Sequence, residues 1–420
     1  MPVWGYSTEI PGDYKWMDSL PPRLAYTTGR LDANQELVVT DGTRVIARKS
    51  LEEGYWNFLS DYSPDTLTMT RDLGGWNDHE AEVVLCPLDR EIERLPINPP
   101  PDSMGSYAIR GTPVWSPDRK YVLINHRLEK EDSEPRNVLA VVNVETYSIV
   151  MFEEIGYSTM GKWTGENQFE CIASEQIDDG TKDAIVETIV KRLRLEVRNG
   201  ASELISEHSI PASMYEAILQ PGEFVLLCDS DGGANVEKGK AVALLELSSG
   251  KRTDLPNSAP NQPSSSDRLS FDWSHQSKRI VYLAGEGAAR EIVVASPDGV
   301  VDKIGLEDNE EVGGFHISSD GMKVLFSNVR PKEFQIFGMT HLAIWDLSDG
   351  TANTIKKLGI WSSLMSDLGF SGSGMASSSA KWAPDSRSVA IPNLGWTSDL
   401  DILTAYEVAE YAEWVETANK

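Results

Sequence analysis

The sequence predicts an all-β chain assembled from copies of one small four-stranded antiparallel sheet, and three observations carry that expectation. A short phrase recurs, as Trp115-Ser116-Pro117-Asp118, Tyr62-Ser63-Pro64-Asp65, Trp382-Ala383-Pro384-Asp385 and the looser Trp273-Ser274-His275-Gln276. An apolar run follows the copies, as in Tyr121-Val122-Leu123-Ile124 and Ile280-Val281-Tyr282-Leu283. With weaker copies counted between them, the spacings scatter around roughly 50 residues, a period that marks a repeat architecture.

Each copy follows one grammar. An aromatic or apolar strand ends in a tight turn, where Pro presets φ and Asp accepts from the backbone N–H groups that follow. A β-branched strand, a polar loop, a third strand and a fourth strand after a Gly or Asn turn complete the sheet. The first copy reads Lys15-Trp16-Met17-Asp18, Arg23-Leu24-Ala25-Tyr26, Glu36-Leu37-Val38-Val39 and Arg44-Val45-Ile46-Ala47. The sixth reads Phe271-Asp272-Trp273, Arg279 to Leu283, Glu291-Ile292-Val293-Val294-Ala295 and Val300 to Ile304. The seventh reads Gly314-Phe315-His316-Ile317, Lys323-Val324-Leu325-Phe326, Leu342 to Leu347 and Asn353-Thr354-Ile355.

The anchors of the copies are Trp16, Tyr62, Trp115, Trp163, Leu219, Trp273, Ile317 and Trp382. Eight blades are therefore expected, near 14–50, 55–97, 110–155, 160–210, 215–257, 269–308, 313–358 and 379–416, in one domain over 1–420. Fusion of the first and last copies into one composite blade leaves seven as the alternative. Beyond Leu403 the chain reads either as a third strand at 406–408 or as an amphipathic helix at 405–417. A four-stranded sheet of this size cannot bury both faces alone. Radial packing lets each sheet cover its neighbours, so the expected fold is a single closed β-propeller with the anchor tryptophans between blades.

The Trp-Ser-Pro-Asp turn with its apolar strand, and Ile344-Trp345-Asp346-Leu347 as a third strand, resemble the WD40-like repeats of TolB-type propellers. They also resemble the propeller domains of prolyl oligopeptidases and dipeptidyl peptidases. The resemblance spans nearly the whole chain and implies a fold rather than an activity. It departs from the peptidases because no hydrolase region remains and no Gly-x-Ser-x-Gly elbow is present; Gly372-Ser373-Gly374 lacks that spacing. The Gly-His dipeptide of true WD40 blades is absent too, which makes the TolB-like branch the closer one.

Composition narrows the function classes. The chain has 420 residues, 40% hydrophobic, and a formal charge of −27. Such a field disfavours nucleic acid and anionic membrane as partners. No apolar run approaches the ~20 residues of a membrane span. The N-terminus lacks a charged region followed by an apolar one, so a cytoplasmic location is expected. Cys86, Cys171 and Cys228 each lie inside apolar runs, as free core thiols.

The candidate site rests on one end of the blades. Up-and-down strands put the second-to-third loops and the blade-to-blade loops on the same face, and loops on rigid scaffolds carry binding residues. Aromatics are expected in the blade-to-blade loops: Tyr55 and Trp56, Tyr107, Tyr157, Tyr215, Trp361 and Phe370. Basic residues end second strands at Arg71, Arg127 and Arg330, while Arg110 and Arg268 precede first strands. Trp76 and Trp396 complete the aromatic set. Arginines and aromatics around one mouth suit a carboxylate-bearing ligand, through paired hydrogen bonds and stacking.

His79, His126, His208, His316 and His341 are expected toward that face, with His275 in an opposite turn. Oligogalacturonate-type propeller lyases hold a metal with such scattered histidines. No pair here has ligand spacing, so neither metal nor cofactor is expected. Asp229-Ser230-Asp231-Gly232-Gly233 and Asp178-Asp179-Gly180 lack the spaced ligands of an EF-hand and read as turns. The apolar, Gly-rich stretch 362–379 reads as a lid or an excursion, and 257–266 as a linker. Two functions remain open. One is a binding platform for a peptide, protein or small anionic ligand; the other is a lyase, isomerase or cyclase acting in an axial pocket.

Overall fold

The computed structural model describes residues 14–17, 19, 21–30, 33–41, 44–52, 55–58, 62–72, 81–95, 110–128, 136–146, 148–152, 158–178, 185–211, 214–220, 223–229, 240–255, 271–285, 290–306, 311–330, 339–358, 381–392 and 400–404. Every regular element among them is a β-strand. The first sheet holds Tyr14–Met17 (β1), Arg23–Arg30 (β2), Ala33–Thr40 (β3) and Val45–Ser50 (β4). The second holds Tyr55–Phe58 (β5), Thr66–Asp72 (β6), Ala81–Pro87 (β7) and Glu93–Leu95 (β8). The third holds Arg110–Trp115 (β9), Tyr121–Leu128 (β10), Arg136–Asn143 (β11) and Ile149–Phe152 (β12). The fourth, with longer strands, holds Ser158–Trp163 (β13), Gln168–Asp178 (β14), Ile185–Glu196 (β15) and Ala201–Pro211 (β16).

Met214–Gln220 (β17), Phe224–Asp229 (β18), Lys240–Glu246 (β19) and Arg252–Asp254 (β20) make the fifth. Phe271–Ser274 (β21), Arg279–Ala284 (β22), Glu291–Ser296 (β23) and Gly299–Gly305 (β24) make the sixth. The seventh is Glu311–Ile317 (β25), Lys323–Arg330 (β26), Met339–Asp346 (β27) and Thr351–Leu358 (β28). Lys381–Trp382 (β29), Ser388–Pro392 (β30) and Leu400–Thr404 (β31) form the eighth, which has three strands among the described residues. In each sheet sequence neighbours are sheet neighbours, the up-and-down order that short turns impose. The third strand of the last copy is thus β31 rather than 406–408. Residues 405–420 lie outside the described set, as do 362–379 and 257–266.

The chain divides into two compact units. One comprises Gly12–Val225 and Glu246–Lys251; the other comprises Met1–Pro11, Leu226–Leu245 and Arg252–Lys420. In the first unit the sheets pack face to face in order. Leu67, Met69, Val84 and Cys86 of the second sheet meet Met17, Ala25, Leu37 and Val39 of the first. The opposite face of the second sheet presents Leu85 to Trp115, Val122, Ala140 and Val142 of the third. Leu123, Leu139, Val141 and Phe152 then pack on Phe169, Cys171 and Leu195 of the fourth. Period-two alternation along each strand produces these two apolar faces, and each fully buried Leu or Met contributes about 1.5–3 kcal/mol. In the second unit Val281, Leu283, Ile292 and Val294 meet Phe315, Val324, Phe326 and Trp345 in the same way.

Three anchor indoles, those of Trp115, Trp163 and Trp382, tie successive sheets with hydrogen bonds as well as area. Trp163 Nε1 donates to the Val114 carbonyl at 3.0 Å, one residue before the anchor Trp115. Trp382 Nε1 donates to the His316 carbonyl at 3.0 Å, one residue before the anchor Ile317. Trp115 Nε1 donates to the buried Thr68 Oγ1 at 2.8 Å. Tyr62 departs from the pattern. It lies in the turn after β5 and stands edge-on to Trp115 at 4.8 Å, while Trp56 and Phe58 fill the first strand.

The Ser-Pro-Asp turn behaves as its chemistry requires. Ser116 Oγ donates to Asp118 at 2.7 Å and accepts from the Tyr121 N–H at 3.0 Å. Ser318 and Asp320 repeat the arrangement at 2.6 Å, with the Lys323 N–H on Ser318 Oγ at 2.9 Å. The residue after Asp is left-handed, φ 64° at Arg119, 70° at Gly321 and 59° at Ser386. No helix among the described residues is long and apolar enough to cross a membrane.

Candidate functional site

Strand register places the predicted arginines at matching positions. Arg71 pairs with Trp56 and Glu82 near the end of β6. Arg127 pairs with Asn137 near the end of β10, beside His126, and Arg110 pairs with Asn125 at the start of β9. Arg330 ends β26 opposite Met339, with His341 opposite Asn328 two rungs away. All lie at the sheet ends that carry the second-to-third connections. Arg30, which ends β2 opposite Ala33, belongs with them and was missed. Applying the same rule to the first copy, where Gly29-Arg30 closes the second strand, would have found it.

Five predicted placements need correction, those of Tyr55, Trp56, Tyr215, His316 and His208. Tyr55 and Trp56 are not loop residues. They form the first strand β5, because Trp56 and Phe58 alternate onto the face that packs against the first sheet, where Trp56 is 7% exposed. Tyr215 likewise lies within β17. His316 sits at the other end of its sheet, next to the first-to-second-strand turn. There its Nδ1 stands 3.5 Å from Asp272 Oδ2, and that same oxygen accepts the Ile317 N–H at 2.8 Å. His208 is likewise in the packing between sheets, its Nε2 3.0 Å from the Leu247 carbonyl. Trp76, His79, Tyr107, Tyr157, Arg268, Trp361, Phe370 and Trp396 lie outside the described residues.

Two predicted residues, Trp56 and Arg71, come together around a carboxylate. Arg71 is 8% exposed at the lip of the interface between the first and second sheets. Its guanidinium lies 5.8 Å from the Trp56 ring centroid and donates to Glu52 Oε2 at 2.7 Å. Arg94 of β8 donates to the same oxygen at 2.5 Å. Trp56 Nε1 donates to the Glu52 backbone carbonyl at 2.9 Å, which fixes the β4–β5 connection that carries this acid. The hydrogen bond from Arg94, with the charges of both arginines, holds the Glu52 carboxyl below its usual range.

A cleft of about 530 Å³ opens at this cluster. Its cationic walls are Lys49, Arg71, Arg90 and Arg94; Glu52, Asp89 and Glu91 supply carboxylates, and Ser50, Trp56, Val84 and Ile92 the remainder. Lys49 Nζ reaches across to the Arg90 carbonyl. The volume is in the range of small-ligand and peptide sites. The cleft is bordered by β4 and β8, the edge strands of their sheets, and reaches inward to Arg71 of β6 and Trp56 of β5. Neither Glu52 nor Arg94 was anticipated, since nothing in the repeat phrase marks them. Among the described residues no group of three or more His, Cys, Asp or Glu is placed to hold a metal.

No protein-family model and no curated protein matches the chain. Solved structures do. The chain is similar to an oligogalacturonate lyase in complex with manganese, at 12% identity over 94% of this chain and 97% of that one, TM-score 0.45. It is similar to the β-propeller domain of the Trilobed protease from Pyrococcus furiosus, at 13% identity over 83% and 98%, TM-score 0.45. It is also similar to TolB from Acinetobacter baumannii, at 17% identity over 71% and 67%, TM-score 0.36. The TolB and peptidase-type propellers among these neighbours are the class that the repeat phrase resembles.

Proposed function

We propose that the sheets close into one eight-bladed propeller that serves as a binding platform for a carboxylate-bearing peptide, protein or small organic ligand. The carrying observation is the recurrence of arginine at the end of the second strand in three successive sheets, Arg30, Arg71 and Arg127. Recurrence at one place in a repeat concentrates cations that a chain of net charge −27 otherwise dilutes. Arg71 supplies a worked instance, because an arginine at that position already holds a carboxylate. A catalytic role for the described histidines has less support, since His208 and His316 are engaged between sheets. Three buried free thiols suit a reducing compartment, so the cytoplasm is the proposed location.

The test is equilibrium binding of labelled tetraglutamate and tetralysine to the full chain at two salt concentrations. Tetraglutamate should bind, with salt weakening it, and Arg127→Ala should reduce affinity about fivefold or more without lowering the melting temperature. Preference for tetralysine, or an Arg127→Ala variant that loses stability and binding together, contradicts the reading.

A further inference from the structure

The outer edge of β4 has no strand partner among the described residues, and the cationic cleft opens beside it. An unpaired edge offers backbone donors and acceptors to any extended segment of matching side-chain chemistry. Lys49 pairs with Leu37, whose side chain packs between the first two sheets, so period two puts Lys49 on the cleft side of β4. A strand added to β4 would present every second side chain to that side, toward Lys49, Arg71, Arg90 and Arg94. Those four cations face three wall carboxylates, a local positive excess on a chain of net charge −27. Charge complementarity therefore selects an acidic partner. The open backbone edge selects a peptide over a nucleic acid, whose phosphates the global field repels.

We propose that the β4 edge takes an extended acidic segment of a partner protein, added as a fifth strand, with carboxylates at alternate positions. Glu52 shows where one of them sits. Its side chain is 62% exposed on the β4–β5 connection, yet its carboxylate lies between Arg71 and Arg94. In the unbound chain it holds the place of the partner's acid, and binding exchanges one carboxylate for another. The proposal rests on the platform reading only in taking the partner to be acidic; its site and binding mode are separate.

The experiment is fluorescence anisotropy of the full chain with a labelled Glu-Thr-Glu-Thr-Glu-Thr peptide. A Glu-Glu-Glu-Thr-Thr-Thr peptide of the same charge and a backbone N-methylated version of the first serve as comparisons. The alternating peptide should bind about fivefold tighter than the block peptide, and N-methylation should abolish that advantage. Arg94→Ala should weaken binding about fivefold, and Glu52→Gln should tighten it about threefold by removing the internal competitor. Should Glu52→Gln fail to fold, Arg94→Ala carries the test alone, because that side chain is 52% exposed. Equal affinity for alternating and block peptides, or no effect of Arg94→Ala, overturns the proposal. If Arg127→Ala abolishes binding while Arg94→Ala does not, the platform stands and the β4 site falls. If no acidic peptide binds, both fall.

Discussion

At the scale of single residues, Glu170 is a buried carboxylate shared by two arginines. Its side chain is 7% exposed on β14 and accepts from Arg192 at 2.7 Å and Arg194 at 3.0 Å. Burial raises its pKa, but the hydrogen bonds and charges of the two arginines outweigh burial and leave it below the usual 4.5. A carboxyl depressed in the folded chain contributes stability that is fully present above about pH 4.5 and is lost as pH falls through the folded value. Glu170→Gln should therefore lower stability at pH 7 by about 2 kcal/mol, less than a fully buried pair because Arg194 is partly solvated. It should also flatten the decline of melting temperature below pH 4.5; an unchanged acid limb would show that other carboxyls set it. Gly321 is a second sensitive point. Its φ is +70°, and a Cβ there would stand 2.2 Å from Ser277 Oγ and 2.8 Å from Arg279 Cδ. Thermal unfolding of Gly321→Ala should show a loss of about 1–3 kcal/mol. Cys86 is inert for a related reason: burial pushes its thiol up to about 12, so alkylation should await unfolding.

At the scale of elements, an indole hydrogen bond ties successive sheets at three junctions, through Trp115, Trp163 and Trp382. Trp382→Phe keeps most of the apolar area but leaves the His316 carbonyl without that donor. Chemical denaturation should show a loss of about 1 kcal/mol; no loss would mean that water replaces the indole without cost. The repeat phrase made these elements legible, because Pro, Asp and the apolar run report purely local chemistry that the turns at Ser116 and Ser318 reproduce. The second copy was misplaced by its own phrase. Tyr62 follows the strand instead of ending it, since Trp56 and Phe58 already supply the inward-facing pair. The site was less legible than the sheets. Glu52 and Arg94 are 42 residues apart and meet only because β4 and β8 lie beside one cleft, a proximity with no sequence signature. His316 was put at the wrong end because alternation gives a side chain's face, not which end of the strand it occupies.

At the scale of the whole molecule, the proposed ring makes the first and eighth sheets neighbours. Closure is also what would gather Arg30, Arg71 and Arg127 with Arg330 on a common face, and no local contact substitutes for it. The three native cysteines are buried, so spin labels can be directed to introduced ones. The deciding measurement is the label-to-label distance between Pro21→Cys and Arg387→Cys, in the first-to-second-strand turns of the first and eighth sheets. A control pair, Lys278→Cys with Asp320→Cys, reports the same distance for the consecutive sixth and seventh sheets. The ring predicts that the two pairs give matching distance distributions. A first-to-eighth distance far longer than the control contradicts the ring and the platform built on it.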